Sequence, residues 1–80
     1  MRLPRDVDPE RLIHAFGILG YRRTRQTGAH VRVTTELGGQ HHEVIPKHKP
    51  IKIGTLGSVL SSVAKHHGLT ERDLLAKLDL

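Results

Sequence analysis

Cysteine is absent, so neither a disulfide staple nor a thiolate metal site is available to this chain. A chain without cysteine suits a reducing compartment. Tryptophan is absent too, and Phe16 and Tyr21 are the only aromatic residues. The core must therefore be aliphatic, and a stacking platform for single-stranded bases is excluded. No apolar run reaches the length of a membrane span. Arg5, Asp6 and Asp8 interrupt the start where the apolar stretch of a signal peptide would lie. The expectation is one small cytoplasmic domain over residues 1–80, with no membrane partner. A chain of 80 residues buries only about 60% of the surface exposed by its unfolded form, so its stability is expected to be modest.

Negative charge is scarce in one place only. In residues 1–20, Arg2, Arg5 and Arg11 balance Asp6, Asp8 and Glu10. In residues 53–80, Lys65, Arg72 and Lys77 balance Glu71, Asp73 and Asp79. Between them, Arg22, Arg23, Arg25, Arg32, Lys47, Lys49 and Lys52 face only Glu36 and Glu43. The whole formal charge of +5 therefore sits in the middle segment. Such an asymmetry marks a surface for phosphates or another acidic partner, against the plainer reading of solvated basic strands.

The sequence punctuates itself clearly. Asp8 is a helix N-cap and Pro9 suits the first helical position, where its missing N–H costs nothing. Val7 and Leu12 stand at the two staple positions. Leu12, Ile13, Phe16 and Leu19 make one helical face, and Gly20 a C-cap, which predicts a helix over 9–19 with Gly17 as its weak point. Tyr21–Gln26 is a polar strand candidate, Thr27-Gly28 a turn, and His30–Thr35 an alternating strand. Gly38-Gly39 signals a hairpin, and His41–Ile45 the returning strand, ended by Pro46. If Leu37 pairs with Gln40, Val33 faces Val44 and Thr34 faces Glu43. Val31, Val33 and Val44 would then share the core face, and His30, Arg32, Thr34 and Glu43 the other. A slip of one residue would exchange the faces of one strand. After a basic connector containing Pro50, Thr55 is expected to cap a second helix with Leu56, Val59, Leu60 and Val63 inward and Gly68 at its end. Thr70 to Asp73 looks like a capping box for a third, with Leu69 and Leu74 as its staple and Leu74, Leu75 and Leu78 inward. The order predicts an α+β fold, α-β-β-β-α with a short extra C-terminal helix and helices on one face of a three-stranded antiparallel sheet. One continuous positive face should surround His30, and the opposite face should be uncharged and covered by helices.

Seven histidines raise the question of a metal. His41 and His42 are strand neighbours and point to opposite faces. His66 and His67 diverge by about 100° on a helix. No helical His-x₃-His pair occurs, so neither a metal nor another cofactor is expected. His14 lies beside the apolar face of the first helix and is expected to be partly exposed.

The pattern Leu3-Pro4-Arg5-Asp6-Val7, Leu19-Gly20-Tyr21, Arg25-Gln26-x-Gly28-x-His30, Pro46-x-His48 and Gly54-Thr55-Leu56 resembles the HicA (YcfA-like) family of small bacterial toxins. The resemblance runs from Leu3 to the helix after Thr55. It implies a double-stranded-RNA-binding-like fold and mRNA interferase activity. It also implies a HicB-type antitoxin as protein partner and mRNA as substrate. The expected assembly is a homodimer or a toxin–antitoxin hetero-oligomer. The resemblance makes His30 the catalytic histidine. Arg25, Gln26 and Gly28 of the motif join Arg23, Arg32, Lys47, His48 and Lys52 as candidate RNA contacts. Two positions depart from the pattern: Ala29 stands where serine is usual, and Gly57 where arginine is frequent.

The chemistry is coherent in its own terms. RNA carries its own nucleophile, the 2′-hydroxyl. Cleavage needs a base for that proton and an acid for the leaving oxygen, and histidine serves either role near neutrality. Arginine and lysine stabilise the negative charge gained in the transition state. His48 is a candidate second acid–base or phosphate-binding group. The chain lacks the paired carboxylates of a metal nuclease, so cleavage should survive a chelator. Two other classes compete with a ribonuclease toxin: a non-catalytic RNA-binding module of the same fold, and an interaction protein whose basic face docks an acidic partner.

Overall fold

The computed structural model describes residues 3–80. Helix α1 spans Pro9–Phe16, the sheet comprises β1 Arg22–Thr27, β2 His30–Thr35 and β3 His41–Pro46, and α2 Ile53–His67 and α3 Glu71–Leu78 follow. The fold is α+β, in the order α-β-β-β-α-α, with an antiparallel sheet ordered β1-β2-β3.

The first helix begins as its residues dictate. Asp8 accepts from the Glu10 backbone N–H at 2.9 Å, and Pro9 occupies the first turn. The expected helix over 9–19 is divided, however. Its α-helical part stops at Phe16, and Gly17–Leu19 continues as a single 3₁₀ turn. Gly17 is the residue of weakest helix propensity in the segment, and the chain tightens there. Gly20 then takes φ +82°, and a Cβ on it would lie 2.8 Å from the Thr35 hydroxyl. That hydroxyl donates to the Leu19 carbonyl at 2.7 Å and accepts from the Leu37 N–H at 3.1 Å. Close approach and backbone sign thus both require glycine at this position.

The β1–β2 hairpin turns at Gly28-Ala29, with Thr27 opposite His30. The β2–β3 register departs from the expected one by one residue. Thr35 pairs with His41, Val33 with Glu43, Arg32 with Val44 and Val31 with Ile45. The connection is therefore a five-residue loop, Glu36–Gln40, rather than a two-residue turn, and Gly38 and Gly39 both take positive φ within it. The faces of β3 are exchanged as a result. Ile45 is fully buried beside Val31 and Val33, and Val44 is 51% exposed on the open face. Glu43, expected outside, lies on the helix-covered side. A bulge at Thr24 has a related effect in β1: Arg22 pairs with Thr34 and Arg25 with Arg32, which brings both arginines to the open face.

α1 packs on β1 and β3, α2 on β3, and α3 on α1 and α2. One core unites Leu12, Phe16, Val31, Val33, Ile45, Leu56, Leu60 and Leu74 with their buried neighbours. The start of α2 also differs from expectation. Lys52 is its N-cap residue, and the Lys52 carbonyl accepts the Leu56 N–H at 2.8 Å, so Thr55 lies inside the first turn. The reason is a tertiary tie. Ile51 is buried and its N–H donates to the Val7 carbonyl at 3.0 Å, so the helix starts directly after this anchor. Thr70 accepts from the Asp73 N–H at 3.0 Å and opens α3 as expected. Among the described residues no helix is long and apolar enough to cross a membrane.

Candidate functional site

The open sheet face carries His30, Arg32 and Thr34 from β2, Arg22 and Arg25 from β1, and His42 and Val44 from β3, as the registers require. Two depressions meet on it. One, of about 410 Å³, is lined by His30, Val44, Pro46, His48, Lys52 and Thr55. The other, of about 250 Å³, is lined by Arg25, Thr27, His30, Arg32 and Val44. His30 and Val44 belong to both, so His30 stands at the middle of a trough with arginines on one side and His48 and Lys52 on the other. A third depression shares His48 and Lys52 with the first and is lined further on by Arg5 and Asp6.

Local structure fixes this arrangement. His30 is the first residue of β2 and pairs with Pro46 of β3. The Lys47 N–H donates to the Ala29 carbonyl at 2.6 Å, which continues the ladder past Pro46 and holds the start of the connector against the hairpin turn. His48 follows directly. His30 and His48 are both exposed. Neither ring is engaged by a hydrogen bond or ion pair among the described residues.

Not every expected contact gathers here. Arg25, Arg32, His48 and Lys52 line the trough with His30. Arg23 does not. It pairs with Val33, on the covered side of the edge strand, and its guanidinium bonds to Glu10 of α1. Lys47 is drawn to the same carboxylate at 3.7 Å. Gln26 stands opposite Val31, so it too belongs to the covered side of this edge strand. Gly28 supplies the turn, at φ +55°, and lies open with nothing within 4 Å of a Cβ placed on it. The remaining cations are unpartnered: Arg25, Arg32 and Lys52 have no carboxylate within ion-pair distance among the described residues. Arg32 Nε is also buried without a hydrogen-bond partner. Val44 and Thr55 were not expected at this site. Val44 was assigned to the core by the slipped register and Thr55 to a capping role, and no residue-type signal distinguishes those alternatives.

Five other titratable residues, Tyr21, His41, Glu43, His66 and His67, cluster on the covered side, at the far end of the sheet. The Tyr21 hydroxyl lies 2.8 Å from His41 Nδ1 and 3.2 Å from His67 Nε2. His41 Nε2 lies 3.1 Å from Ser62 Oγ and 3.4 Å from Glu43 Oε2. The His66 ring stacks on His41, and its Nε2 lies 3.0 Å from the carbonyls of both Leu37 and Gly39. A carbonyl only accepts, so His66 Nε2 carries a proton and ties the end of α2 to the β2–β3 loop. The adjacent His66 and His67, expected to diverge, thus serve one cluster. His41 and His42 do point to opposite faces, and His42 Nδ1 meets Thr34 Oγ1 at 2.7 Å on the open side. The covered face is therefore not uncharged, because Glu43 stands on it. His14 is exposed. Among the described residues no three His, Asp or Glu side chains are grouped to hold a metal ion.

The hydrogen bonds of Tyr21, His41 and His67 are satisfied with these two histidines neutral. His67 donates to Tyr21, Tyr21 to His41 Nδ1, and His41 Nε2–H to Ser62. Burial pushes the pKa of His41 below its ordinary 6.5, opposed by Glu43 and reinforced by His66 and His42. Burial, with His66 and His41, pushes His67 the same way. Burial and then Glu43 push Tyr21 up to about 12, so its hydroxyl keeps its proton. The unfolded chain therefore binds protons at these histidines before the folded one does, and the stability they contribute is full above pH 6.5 and lost as pH falls through their lowered values. Urea midpoints should fall between pH 7 and pH 5, and His67→Gln should make that fall shallower. A midpoint that holds or rises on acidification would contradict this account.

Comparison with protein-family models, with curated proteins and with solved structures finds no match. What the site does rests on its own geometry and chemistry.

Proposed function

We propose that this protein is an endoribonuclease that cleaves mRNA in the cytoplasm by histidine acid–base chemistry, with His30 as the catalytic group. We further propose that it is the toxin of a HicA-type pair, silenced by a HicB-type antitoxin. The observation that carries the first reading is the trough itself. A free, exposed imidazole stands at its centre, flanked by guanidinium and ammonium groups without carboxylate partners. That is the equipment needed to bind a chain of phosphates and move a proton at one of them. Support for the toxin assignment is the motif Arg25-Gln26-x-Gly28-x-His30 with Pro46-x-His48.

The 2′-hydroxyl is the nucleophile in this mechanism, and the cations supply the charge stabilisation. Cleavage of an RNA oligonucleotide should therefore proceed in EDTA and leave a 2′,3′-cyclic phosphate. A single 2′-deoxy substitution at the cut site should stop it, since only RNA offers that nucleophile. Salt-dependent binding without cleavage would leave an RNA-binding module, and no salt-sensitive RNA affinity would leave a protein-docking face. Induced expression should arrest growth with loss of mRNA, and co-expressed antitoxin should restore both.

A further inference from the structure

We propose that His48 is the second proton carrier of the site, paired with His30 across the central groove. This rests on the ribonuclease reading and gives it a mechanism. In transesterification the 2′-oxygen forms a bond to phosphorus as the bond to the 5′-oxygen breaks. The proton of the 2′-hydroxyl goes to a base, and an acid delivers a proton to the departing 5′-oxygen. Entering and leaving oxygens lie on opposite sides of phosphorus in an in-line displacement. One fixed imidazole cannot attend to both in the same step, so the site needs a second group facing the first.

The groove supplies one candidate. Its lining residues are His30, Val44, Pro46, His48, Lys52 and Thr55. Valine and proline carry no proton to give, a threonine hydroxyl ionises far above neutrality, and lysine as a residue type holds its proton there. Of these residue types, only imidazole is suited to take and release a proton near neutrality. The two rings also come from separate elements. His30 belongs to the start of β2, and His48 to the connector between β3 and α2. The pairing of His30 with Pro46 and the 2.6 Å bond from Lys47 N–H to the Ala29 carbonyl fix these elements side by side.

Continuity of the trough points the same way. His30 is shared between the arginine depression and the central groove, and His48 between the central groove and the depression beyond. A nucleic-acid strand lying along the trough passes both rings in turn, with Arg25 and Arg32 at one end and Lys52 at the other. A phosphate in the central groove then lies in a depression that both imidazoles line. One ring carries the 2′ proton away while the other supplies the 5′ proton. The cyclic phosphate product leaves the pair with its protons exchanged, and water or solvent exchange resets it.

The test uses ordinary RNA and the same RNA with sulfur replacing the bridging 5′-oxygen at the cut site. A thiolate departs without protonation, so the sulfur substrate no longer needs the acid. His48→Ala should slow cleavage of ordinary RNA by about 10²–10⁴-fold and remove one limb of a bell-shaped kcat/KM profile. His48→Lys, which keeps a positive charge but not the titration, should remain as slow. On the sulfur RNA, one of His30→Ala and His48→Ala should recover and the other should not, which identifies the acid. His48 is exposed, and an unchanged circular dichroism spectrum verifies folding. Wild-type rates in His48→Ala, restoration by His48→Lys, or recovery of neither variant on the sulfur RNA would overturn the pairing while leaving the ribonuclease reading in place. A folded wild-type protein that cuts neither RNA would overturn both.

Discussion

Replacing His30 with alanine should abolish RNA cleavage and growth arrest while leaving a folded protein. The two halves of that expectation have separate grounds. His30 is exposed at the first position of β2, and no hydrogen bond engages its ring among the described residues. Truncation there removes no packing, so stability should stay within about 0.5 kcal/mol of wild type. An acid–base group, by contrast, typically contributes 10²–10⁴-fold to rate, and its loss should fall on kcat more than on KM. A simple phosphate contact gives a different pattern. Arg25→Ala or Arg32→Ala should weaken binding, flatten its salt dependence and lower kcat through lost charge stabilisation, without removing a limb of the pH profile. Comparing the pH profiles of the three variants at saturating RNA separates proton transfer from charge. If folded His30→Ala protein cuts at the wild-type rate, His30 is a bystander and the acid–base mechanism fails with it.

Most of the fold was legible because its signals are local. Asp8-Pro9, Gly20, Gly68 and Thr70 act within a few residues of their own position, and the structure uses each where it was expected, while the turn expected at Thr27-Gly28 lies one residue on, at Gly28-Ala29, with Thr27 ending β1. Two features were not local. The register of β3 depended on how many residues cross from β2, and Gly38-Gly39 fits both a tight turn and a longer loop. The polar contacts of His66 with Leu37 and Gly39 help to settle that choice in favour of the longer loop, and they join segments far apart in sequence. The beginning of α2 depended on the tie between Ile51 and Val7, which has no sequence signature. The same limit applied to the site. Clustering of positive charge was readable from composition, but its division was not. Glu10, counted as balancing the N-terminal segment, instead holds Arg23 and Lys47 away from the trough. The bulge at Thr24, equally invisible in the sequence, brings Arg22 and Arg25 to one face. His30 and His48 could be named individually, whereas their shared groove needed the ladder between His30 and Pro46.

The register also yields the largest expected stability effect, and a paired substitution reads it directly. Ile45 is fully buried opposite Val31, whereas its neighbour Val44 is 51% exposed opposite Arg32. Ile45→Ala should cost about 2–5 kcal/mol, through lost burial and the cavity left behind. Ile45→Asp should cost more, because an unpaired carboxylate would enter an apolar core. A domain of this size has roughly 4–12 kcal/mol in total, at about 0.05–0.15 kcal/mol per residue, so Ile45→Asp should leave most of the chain unfolded at 25 °C. Val44→Asp should behave oppositely. Its side chain meets solvent, and the fold should lose no more than about 1 kcal/mol. Yet Val44 is in the wall common to both halves of the trough, so on the proposed function the new carboxylate would face the phosphates bound beside Arg25, Arg32 and Lys52. RNA affinity at low salt should fall by at least about tenfold, or 1.4 kcal/mol, with the deficit shrinking as salt screens the repulsion. The alternative register, with Val44 inward and paired with Val33, exchanges these outcomes: Val44→Asp would unfold the protein and Ile45→Asp would be tolerated. Urea denaturation of the two aspartate variants, followed by RNA titration of whichever remains folded, decides between the registers and tests the position of the trough in one set of measurements.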